Sequence, residues 1–497
     1  MTSINDIMSE SSTMSESSSQ ISITSSQTST SSTTTSISFY KSFQDWWNSS
    51  SSYLSQQPPP PPLAINEQEQ EDNIESPEIK NAKFKNRMIE YELYLKLLPN
   101  DIHIYKPNEV IPNQPSAIFG QLLDIKLNNQ FIIHEFSLEN NTNPPDVEIK
   151  HIVIIHGYMA ASGYFINNIV PLIYTPGIRI HIIDLPGFGN SSRPSFPNEF
   201  LSEPNTISEK IGQILKIENW FIDRIEQWRL VRRIDKFKLI CHSMGAYLGC
   251  CYLMKYNKQP KLVDEVVIVS PMGTESSHNS LLLNGNRKTP LNHDEPAGDP
   301  FKEVFEEEQP ITEELQQFWT MIGQPRFPKN IILKTLWQNN KTPFDILQKL
   351  GPFYSKILSY WSFQRFKNLV STTDDPDSSL ILKLHDYSYS IFNQYQLSGE
   401  LAITKFINHE ILARLPLYDR GLVDYLVTSN VKSLWVYGDH DWMNSNGGKH
   451  IYEKICEHDP NLAQFEIIES AGHHVYLDNP KVFNKICIDF FGLNPEL

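Results

Sequence analysis

A serine at the junction of a strand and a helix is the first feature that could carry chemistry. The segment FKLICHSMGAYLGCCYLMKY predicts a buried strand that ends at Cys241 and a helix that opens after Ser243. Gly245 lets the backbone close a tight turn there, because it has no Cβ. Such an elbow exposes the hydroxyl above a helix N-terminus. Ser243 is therefore a candidate nucleophile, although Cys241 replaces the first glycine of G-x-S-x-G. The alternative is a serine that merely begins a helix.

Backbone amides near this serine could stabilise the negative charge that develops on an attacked carbonyl. HIVIIHGYMAAS predicts a strand that runs into the pair His156-Gly157. The amides of Tyr158 and Met244 are the expected oxyanion hole, and each such donor is worth roughly 3 kcal/mol of barrier. His156 is expected to shape the loop rather than to transfer protons. The next strand leads into IDLPGFGNSSRP, a D-x-x-G-x-G-x-S loop.

A later segment can supply the carboxylate that orients the base. In SLWVYGDHDWM a strand leads into a polar loop. Asp441 is the expected acid, because the G-x-x-D spacing places it just beyond the strand. Asp439 is the rival and reads as a turn residue, and Asn444 is a further position to weigh.

The last strand supplies a histidine that can act as the base. In FEIIESAGHHVYLDNP a strand ends, Gly472 turns the chain, and His473 can reach back to Ser243. His474 could do so only if the loop were shifted. A nucleophile elbow of this kind is typically followed along the chain by its acid and then by its histidine, and the strand ends of one parallel sheet lie side by side. The sequence therefore predicts a triad of Ser243, Asp441 and His473.

The same stretch also contains the spacing H-x-x-x-x-D, from His473 to Asp478. In glycerolipid acyltransferases of another fold, this spacing lets a carboxylate orient a histidine that deprotonates an acceptor hydroxyl. The structural alternative is a helix cap, since Asp478 precedes Asn479-Pro480 and a helical pattern.

Short apolar strands alternate with helices through most of the chain. The predicted strands are 131–136, 152–155, 180–184, 237–240, 263–270, 434–437 and 465–469. This alternation predicts an α/β fold with a mostly parallel central sheet flanked by helices. Residues 271–429 show helical patterns and no clear strand, which predicts an inserted helical cap. Its aromatic residues would pack the cap, line an apolar cleft or touch a bilayer. The core would then comprise residues 84–270 and 430–497.

The composition narrows the class of protein. The chain has 497 residues and a formal net charge of −16, which argues against a nucleic-acid partner. No apolar stretch reaches the length of a membrane span, so any membrane contact should be peripheral. Five cysteines without a C-x-x-C pair favour a reducing compartment. The sequence has no dinucleotide fingerprint, phosphate-binding loop or metal-ligand cluster, so no cofactor and no metal are expected. Scattered cations such as Arg193, Arg326 and Lys329 could meet a phosphate head group.

Residues 1–83 read as a disordered tail. The first 56 residues are mostly serine and threonine, which bury too little apolar surface to fold. A proline run and an acidic run follow. Phe43, Trp46 and Trp47 interrupt the polar tail and could anchor to a lipid interface or dock on the folded body. The tail lacks the basic residues of a mitochondrial presequence.

Several motifs together resemble one branch of the α/β-hydrolases. They are HGYMAASGYF, DLPGFGNSSRP, CHSMGAYLG, VSPMG, YGDHDWM, AGHHVYLDNP and the cap segment LGPFYSKILSYWSFQRF. The branch includes a fungal cardiolipin-specific deacylase, related lysophosphatidic-acid acyltransferases, and an animal lipase coactivator with its N-acyl phospholipid lipase relative. In several relatives the acid lies where Asn444 stands here. The resemblance implies an α/β-hydrolase fold with a cap, and a mitochondrial or peripheral membrane setting; the alternative is the cytoplasm.

The resulting expectation is a serine hydrolase that cleaves an acyl ester of a phospholipid or lysophospholipid, with cardiolipin as one candidate. An acyl-CoA-dependent acyltransferase acting on lysophosphatidic acid is the first alternative. A non-catalytic lipase coactivator is the second, and the serine at position 243 argues against it, because the coactivator has another residue there.

Overall fold

The computed structural model describes most of the chain outside the first residues and parts of the cap. The described residues are 36–60, 76–142, 148–283, 286–287, 305–306, 335, 337, 339–342, 347–371, 379–393 and 397–495.

Nine strands form one central sheet. They are β1 (His103–Ile104), β2 (Ile118–Lys126), β3 (Ile132–Asn140), β4 (Lys150–Ile155), β5 (Ile178–Ile183), β6 (Phe237–His242), β7 (Glu265–Val269), β10 (Lys432–Gly438) and β11 (Ala463–Ile468). The order across the sheet is β1-β2-β3-β5-β4-β6-β7-β10-β11. Only the pairs β2–β3 and β3–β5 are antiparallel, so the predicted mostly parallel sheet is confirmed.

Helices cover both faces of the sheet. They are α1 (Phe39–Asn48), α2 (Ser51–Leu54), α3 (Pro77–Leu97), α4 (Ile166–Ile173), α5 (Asn198–Leu201), α6 (Ile207–Val231), α7 (Met244–Tyr256), α8 (Tyr354–Ser371), α9 (Ser379–Phe392), α10 (Ile403–Phe406), α11 (Leu422–Thr428), α12 (Ser445–His458), α13 (Val475–Asp478) and α14 (Pro480–Phe491). Single 3-10 turns lie at Ser162–Phe165, Gly351–Phe353, Gly399–Ala402 and Tyr418–Arg420.

The core has one apolar layer on each face of the sheet. On one face α6 and α7 bury Trp228 and Tyr247 against the strands. On the other face α4 and α14 pack around Tyr476, whose ring stacks on Phe165 with centroids 4.1 Å apart. Fully burying a side chain of this size contributes roughly 2 kcal/mol. The central strands are therefore held from both sides, which gives their carboxyl ends a fixed geometry.

The sheet is wider than the sequence predicts. Strands β1 and β2 were not predicted. Apolar and polar residues alternate poorly along β2, and most of its residues are only half-buried. It pairs with β3 over nine residues through a turn that Asn128 holds, since its side chain accepts the amides of Gln130 and Phe131. These strands extend the edge remote from Ser243 and leave the predicted site strands unchanged.

The prediction of a disordered tail over 1–83 is wrong for residues 36–60 and 76–83. Helix α1 docks on the start of α8 with its polar side. Ser42 is fully buried, donates to the Pro352 carbonyl at 2.6 Å and accepts the Lys356 amide at 2.8 Å. Asp45 accepts the Ser355 hydroxyl. Serine-rich composition predicted disorder, but these positions form a polar stripe with specific partners. Residues 1–35 and 61–75, with most of the acidic run, lie outside the described residues.

The predicted core boundary at residue 84 falls inside α3. That helix starts at Pro77, a residue suited to the first helical turn. Its Glu90 is fully buried and accepts a hydrogen bond from His134 on β3 at 2.9 Å. The helix therefore packs into the folded body, and near its start Asn81 is also buried and donates to the Leu54 carbonyl at 2.9 Å.

The insertion between β7 and β10 is mainly helical where it is described. It contains α8, α9, α10 and α11. It also contains two short antiparallel strands, β8 (Asn286–Arg287) and β9 (Phe305–Glu306), where no strand was predicted. Two-residue strands are too short for a recognisable alternation. Arg326 and Lys329, which were possible phosphate ligands by sequence, lie outside the described residues, as do the cap aromatics Phe318 and Trp319.

Candidate active site

Three side chains from distant parts of the chain meet at the carboxyl ends of the strands. The Nε2 atom of His473 lies 3.0 Å from the Oγ atom of Ser243. Its Nδ1 atom lies 3.0 Å from Oδ1 of Asp441. Ser243 follows β6, Asp441 follows β10 and His473 follows β11, and these strands lie within four neighbouring positions of the sheet. The structure thus brings the three predicted residues together as a continuous hydrogen-bonded chain.

The electrostatics of this chain suit proton transfer. Burial lowers the pKa of His473 below 6.5, although the carboxylate of Asp441 opposes the shift. Burial pushes the pKa of Asp441 up, but the charge and hydrogen bond of His473 outweigh it, so the net pKa is lowered. The Met443 amide also donates to Oδ1 of Asp441 at 2.9 Å. At neutral pH the imidazole is therefore neutral and the carboxylate is charged, which is the state a general base needs.

The backbone at Ser243 is strained in the manner of a nucleophile elbow. Its φ is 55° and its ψ is −118°, an uncommon conformation for a residue with a side chain. Helix α7 begins at the next residue. A Cβ on Gly245 would overlap the His156 carbonyl oxygen, so only glycine fits there. Cys241 occupies the first position of the motif, and Gly249 on α7 leaves the room it needs, since a Cβ there would lie 3.0 Å from the thiol sulfur.

The loop after β4 lies directly against the nucleophile. A Cβ on Gly157 would approach the Ser243 Cβ to 2.8 Å and the ring of His242 to 2.7 Å. Tyr158 follows Gly157, and Met244 follows Ser243 as the first residue of α7. The Met244 amide therefore has no carbonyl one turn earlier in the helix. Both predicted oxyanion amides belong to backbone beside the hydroxyl, and their role stays a prediction.

His156 and Asp184 tie the loops around the nucleophile together. His156 accepts the Leu185 amide at 3.0 Å through Nε2 and contacts the Gly157 carbonyl through Nδ1. Asp184 accepts the amides of Ser162 and Asn190, at 2.8 and 2.7 Å. Burial lowers the pKa of His156 to about 4 and raises the pKa of Asp184 to about 6. Both side chains shape loops, as predicted for His156.

The rival site residues have other partners. Asp439 accepts the Ala471 amide at 2.9 Å and contacts His440, as expected of a turn residue. Asn444 is the N-cap of α12 and accepts the Asn446 amide. The ring of His474 lies edge-on to the ring of His473, with centroids 5.3 Å apart. Of these carboxylates, Asp441 is the one that contacts His473.

The H-x-x-x-x-D spacing does not form a histidine–carboxylate pair. Asp478 accepts the Gly472 amide at 2.9 Å through Oδ2. Its Oδ1 atom receives a hydrogen bond from Arg365 of α8, also at 2.9 Å. The side chain that caps α14 is Asn479, which accepts the Val482 amide. Asp478 therefore holds the loop before His473, and neither the acyltransferase nor the capping interpretation describes it. The cap segment LGPFYSKILSYWSFQRF contains Arg365, but it served only for the family resemblance, so no role was predicted for this residue.

One group in the described part of the chain has the spacing of metal ligands. Asp45, His385 and Asp386 offer donor atoms within 4.8 Å of one another. The ammonium group of Lys41 lies between the carboxylates, 2.5 Å from Asp45 and 2.7 Å from Asp386. A lysine thus supplies the positive charge there, and the group joins α1 to α9.

An aromatic surface covers the outer side of α1. We call it the aromatic face; its members are Phe39, Tyr40, Phe43, Trp46 and Trp47, which are 38–71% exposed. Phe353 and Tyr360 of the cap are also exposed beside it, and Phe353 contacts Phe39 edge-on. Other cap aromatics, such as Phe366, are buried. Among the described residues, no helix combines the length and the apolar character that crossing a membrane requires.

Comparisons with known proteins agree with this architecture. Residues 150–304 match the family model of the α/β hydrolase fold. Protein ECM18 of Saccharomyces cerevisiae is 29% identical over 68% of this chain and 70% of its own length. A probable 1-acylglycerol-3-phosphate O-acyltransferase of rice (Oryza sativa) is 26% identical over 71% of this chain and 68% of its own.

A mouse (Mus musculus) protein named (lyso)-N-acylphosphatidylethanolamine lipase is 26% identical over 72% of this chain and 86% of its own length. These relatives match well beyond the segment that the family model covers. The expected resemblance is thereby confirmed: the chain has the α/β-hydrolase fold and is similar to proteins named as a probable 1-acylglycerol-3-phosphate O-acyltransferase and a (lyso)-N-acylphosphatidylethanolamine lipase.

Proposed function

We propose that this protein is a serine carboxylic-ester hydrolase that removes acyl chains from phospholipids. The observation that carries the proposal is the hydrogen-bonded chain from the Ser243 hydroxyl through His473 to Asp441. A serine that is polarised in this way at a strained elbow is the arrangement that acyl transfer through an acyl-enzyme requires. No cofactor takes part in the proposed reaction.

The mechanism follows from the positions of the three side chains. Ser243 attacks the ester carbonyl while Nε2 of His473 takes its proton. The amides of Tyr158 and Met244 bind the oxyanion, and His473 returns the proton to the leaving alcohol. Water, deprotonated by His473, then attacks the acyl-enzyme; the ester bond to Ser243 breaks, His473 returns the proton to the serine oxygen, and the fatty acid is released. Asp441 holds the imidazole in one tautomer throughout and balances its transient charge.

The phospholipid substrate is supported by the relatives. Two of the relatives reported above are named as a probable 1-acylglycerol-3-phosphate O-acyltransferase and as a (lyso)-N-acylphosphatidylethanolamine lipase. Both names describe acyl chemistry on glycerophospholipids. Cardiolipin, a phospholipid with four acyl chains, is one candidate within this class and follows only from the resemblance.

We further propose that the protein works at a membrane surface, to which the aromatic face binds. Aromatic rings favour the boundary between lipid head groups and acyl chains. On α1 the polar side is fastened to the cap, so the aromatic side is left for a lipid surface. The cap would therefore lie close to the bilayer from which a substrate must come.

Labelling with a fluorophosphonate probe tests the proposed nucleophile. The wild-type protein should be labelled and should hydrolyse phospholipid esters, whereas Ser243→Ala should lose labelling and about 10⁴-fold or more of the hydrolysis. Ser202→Ala, at the end of α5, serves as the matched control and should keep both. A wild-type protein that takes no label and turns over no ester would instead fit a non-catalytic lipase coactivator.

Acyl transfer is the second candidate, because one relative is named as an acyltransferase. Lysophosphatidic acid would replace water as the acceptor of the acyl group from the same enzyme. Assays with lysophosphatidic acid and acyl-CoA separate the two reactions. Transfer that survives Ser243→Ala would exclude the acyl-enzyme route, while transfer lost with hydrolysis would indicate a shared nucleophile.

A further inference from the structure

The guanidinium group of Arg365 is largely buried beside the candidate active site, and only one of its nitrogen atoms donates a hydrogen bond to a described residue. Its side chain is 12% exposed, and Nη1 donates to Asp478 at 2.9 Å. The Nε and Nη2 atoms are also buried, and no acceptor among the described residues reaches them. A buried charged donor without an acceptor is costly, by more than a neutral group would be. Such a group is expected where a ligand or ordered water completes it.

The surroundings of Arg365 carry further unmatched polar atoms. The rings of His242, His474 and Tyr476 lie within 4.9–5.8 Å of one another. Nδ1 of His242, Nε2 of His474 and the hydroxyl of Tyr476 are buried and have no partner among the described residues. Burial is the main cause that lowers the pKa of His242 and of His474, and the positive charge of Arg365 lowers both further. Asp478, to which Arg365 donates, is the last residue of α13, the helix that begins directly after His474 and contains Tyr476.

Arg365 is connected to the base through two hydrogen bonds. Asp478 receives the guanidinium on one oxygen and the Gly472 amide on the other, and Gly472 immediately precedes His473. Asp478 accounts for one negative charge, and its oxygens are already shared between two donors. The free edge of the guanidinium can still bind a further oxyanion, and a forked donor of this kind suits phosphate.

We infer that Arg365 binds the phosphate group of the lipid that the active site acts on, with the polar groups of His474 and Tyr476 beside it. The ligand class is a phosphate monoester or diester on the glycerol of an acyl ester. This inference rests on the proposed function for its substrate. Arg193, a possible phosphate ligand by sequence, forms an ion pair with the buried Glu400 instead.

A binding measurement tests the site without requiring catalysis. Inorganic phosphate should raise the unfolding temperature of the intact protein, because a ligand that binds only the folded state stabilises it. Chloride at equal ionic strength is the reference salt. The increase should be lost in Arg365→Gln and kept in Lys383→Gln, which removes a cap cation paired with Glu92 at the surface. Equal phosphate effects in all three proteins would overturn the inference.

Kinetics then separate a lipid head group from free phosphate. The readout is kcat/KM for dioleoyl phosphatidic acid divided by kcat/KM for dioleoylglycerol, both in the same neutral detergent micelles. Arg365→Gln should lower this ratio about tenfold or more, as expected for the loss of a charged hydrogen bond. Arg365→Lys should lower it less. A ratio within twofold of wild type in both variants would exclude a head-group role.

A purely structural role of Arg365 predicts another pattern. If Arg365 only anchors Asp478, then Asp478→Asn should change the ratio as Arg365→Gln does, and that equality would overturn the inference. We expect Asp478→Asn to keep the preference for phosphatidic acid while it slows both substrates. If the wild type hydrolyses neither substrate and takes no fluorophosphonate label, the proposed function fails, while the phosphate stabilisation still reports on the site.

Discussion

At the scale of residues, the sequence could predict the chemical groups but not their neighbours. Ser243, Asp441 and His473 were found because each follows a recognisable strand, and a parallel sheet brings strand ends together. Arg365 lies on a cap helix whose position depends on tertiary packing, so no local pattern could place it beside Asp478. The same dependence explains why H-x-x-x-x-D was misleading: the spacing is present, but the backbone turns the carboxylate toward Gly472.

The pH dependence of turnover should report the histidine. His473 must be neutral to accept the serine proton, and its pKa lies below 6.5 mainly because it is buried. The value of kcat/KM should therefore rise with pH through an inflection below 6.5 and stay level above it. In Asp441→Asn the carboxylate that raises this pKa is lost, so the inflection should move to lower pH and the plateau should fall about 10⁴-fold.

Asp439→Asn is the matched control for that experiment. It removes a neighbouring carboxylate of the same loop, and its partners are the Ala471 amide and His440. We expect its pH profile to keep the wild-type inflection. If instead the inflection moves in Asp439→Asn and stays in place in Asp441→Asn, then Asp439 and not Asp441 is the acid that acts on His473.

At the scale of elements, strands were easier to predict than the docked helix α1. The site strands are continuous aliphatic runs, whereas β1 is only two residues long and β2 is half-exposed. Helix α1 was hidden by the composition of the tail around it. Its signals were local: Ser38 caps it by accepting the Lys41 amide, and its aromatic residues recur with helical spacing. Both signals are short, and the serine- and threonine-rich composition of residues 1–56 as a whole obscures them.

Vesicle binding tests the aromatic face. Replacing both Trp46 and Trp47 by serine should weaken binding to phosphatidylcholine vesicles roughly tenfold or more. The variant lacks the two large rings whose transfer from water into the lipid surface favours binding. Sedimentation with vesicles measures the bound fraction. Leu230→Ser is the control, since Leu230 is 57% exposed on α6. The membrane proposal fails if the double variant binds as tightly as the wild type while remaining folded.

At the scale of the whole molecule, the α/β architecture and the −16 charge were both readable from the sequence. The charges buried inside the fold were not. Glu135 is fully buried on β3 and accepts hydrogen bonds from His181 at 2.7 Å and from Trp228 at 2.8 Å, with Arg232 also near. No periodicity marks a strand residue as the centre of such a network, because its partners come from β5 and α6.

This network should contribute to stability in a pH-dependent way. Burial alone would push the pKa of Glu135 up, but His181 and Arg232 lower it from 4.5 to about 2. A depressed acid stabilises the fold above its unfolded pKa, and that contribution is lost as pH falls from 4.5 through about 2. Glu135→Gln should therefore cost about 3 kcal/mol at pH 7 and flatten the decline of stability over this range.

Urea unfolding from pH 7 to pH 2.5 measures that contribution. Glu466→Gln is the matched control, since Glu466 is an exposed carboxylate on β11. We expect the control to follow the wild-type stability at every pH. If the stability of Glu135→Gln declines with falling pH as steeply as that of the wild type, Glu135 does not cause the acid-dependent loss of stability.

The bond between Arg365 and Asp478 has a consequence for the reaction cycle. It links helix α8 of the cap to the loop that carries His473. If α8 moves far enough to admit or release a lipid, this bond would break and the loop before His473 would lose its anchor. The enzyme would then be inactive while α8 is displaced and active again once the bond re-forms. Water that enters during the displacement would find no base in position.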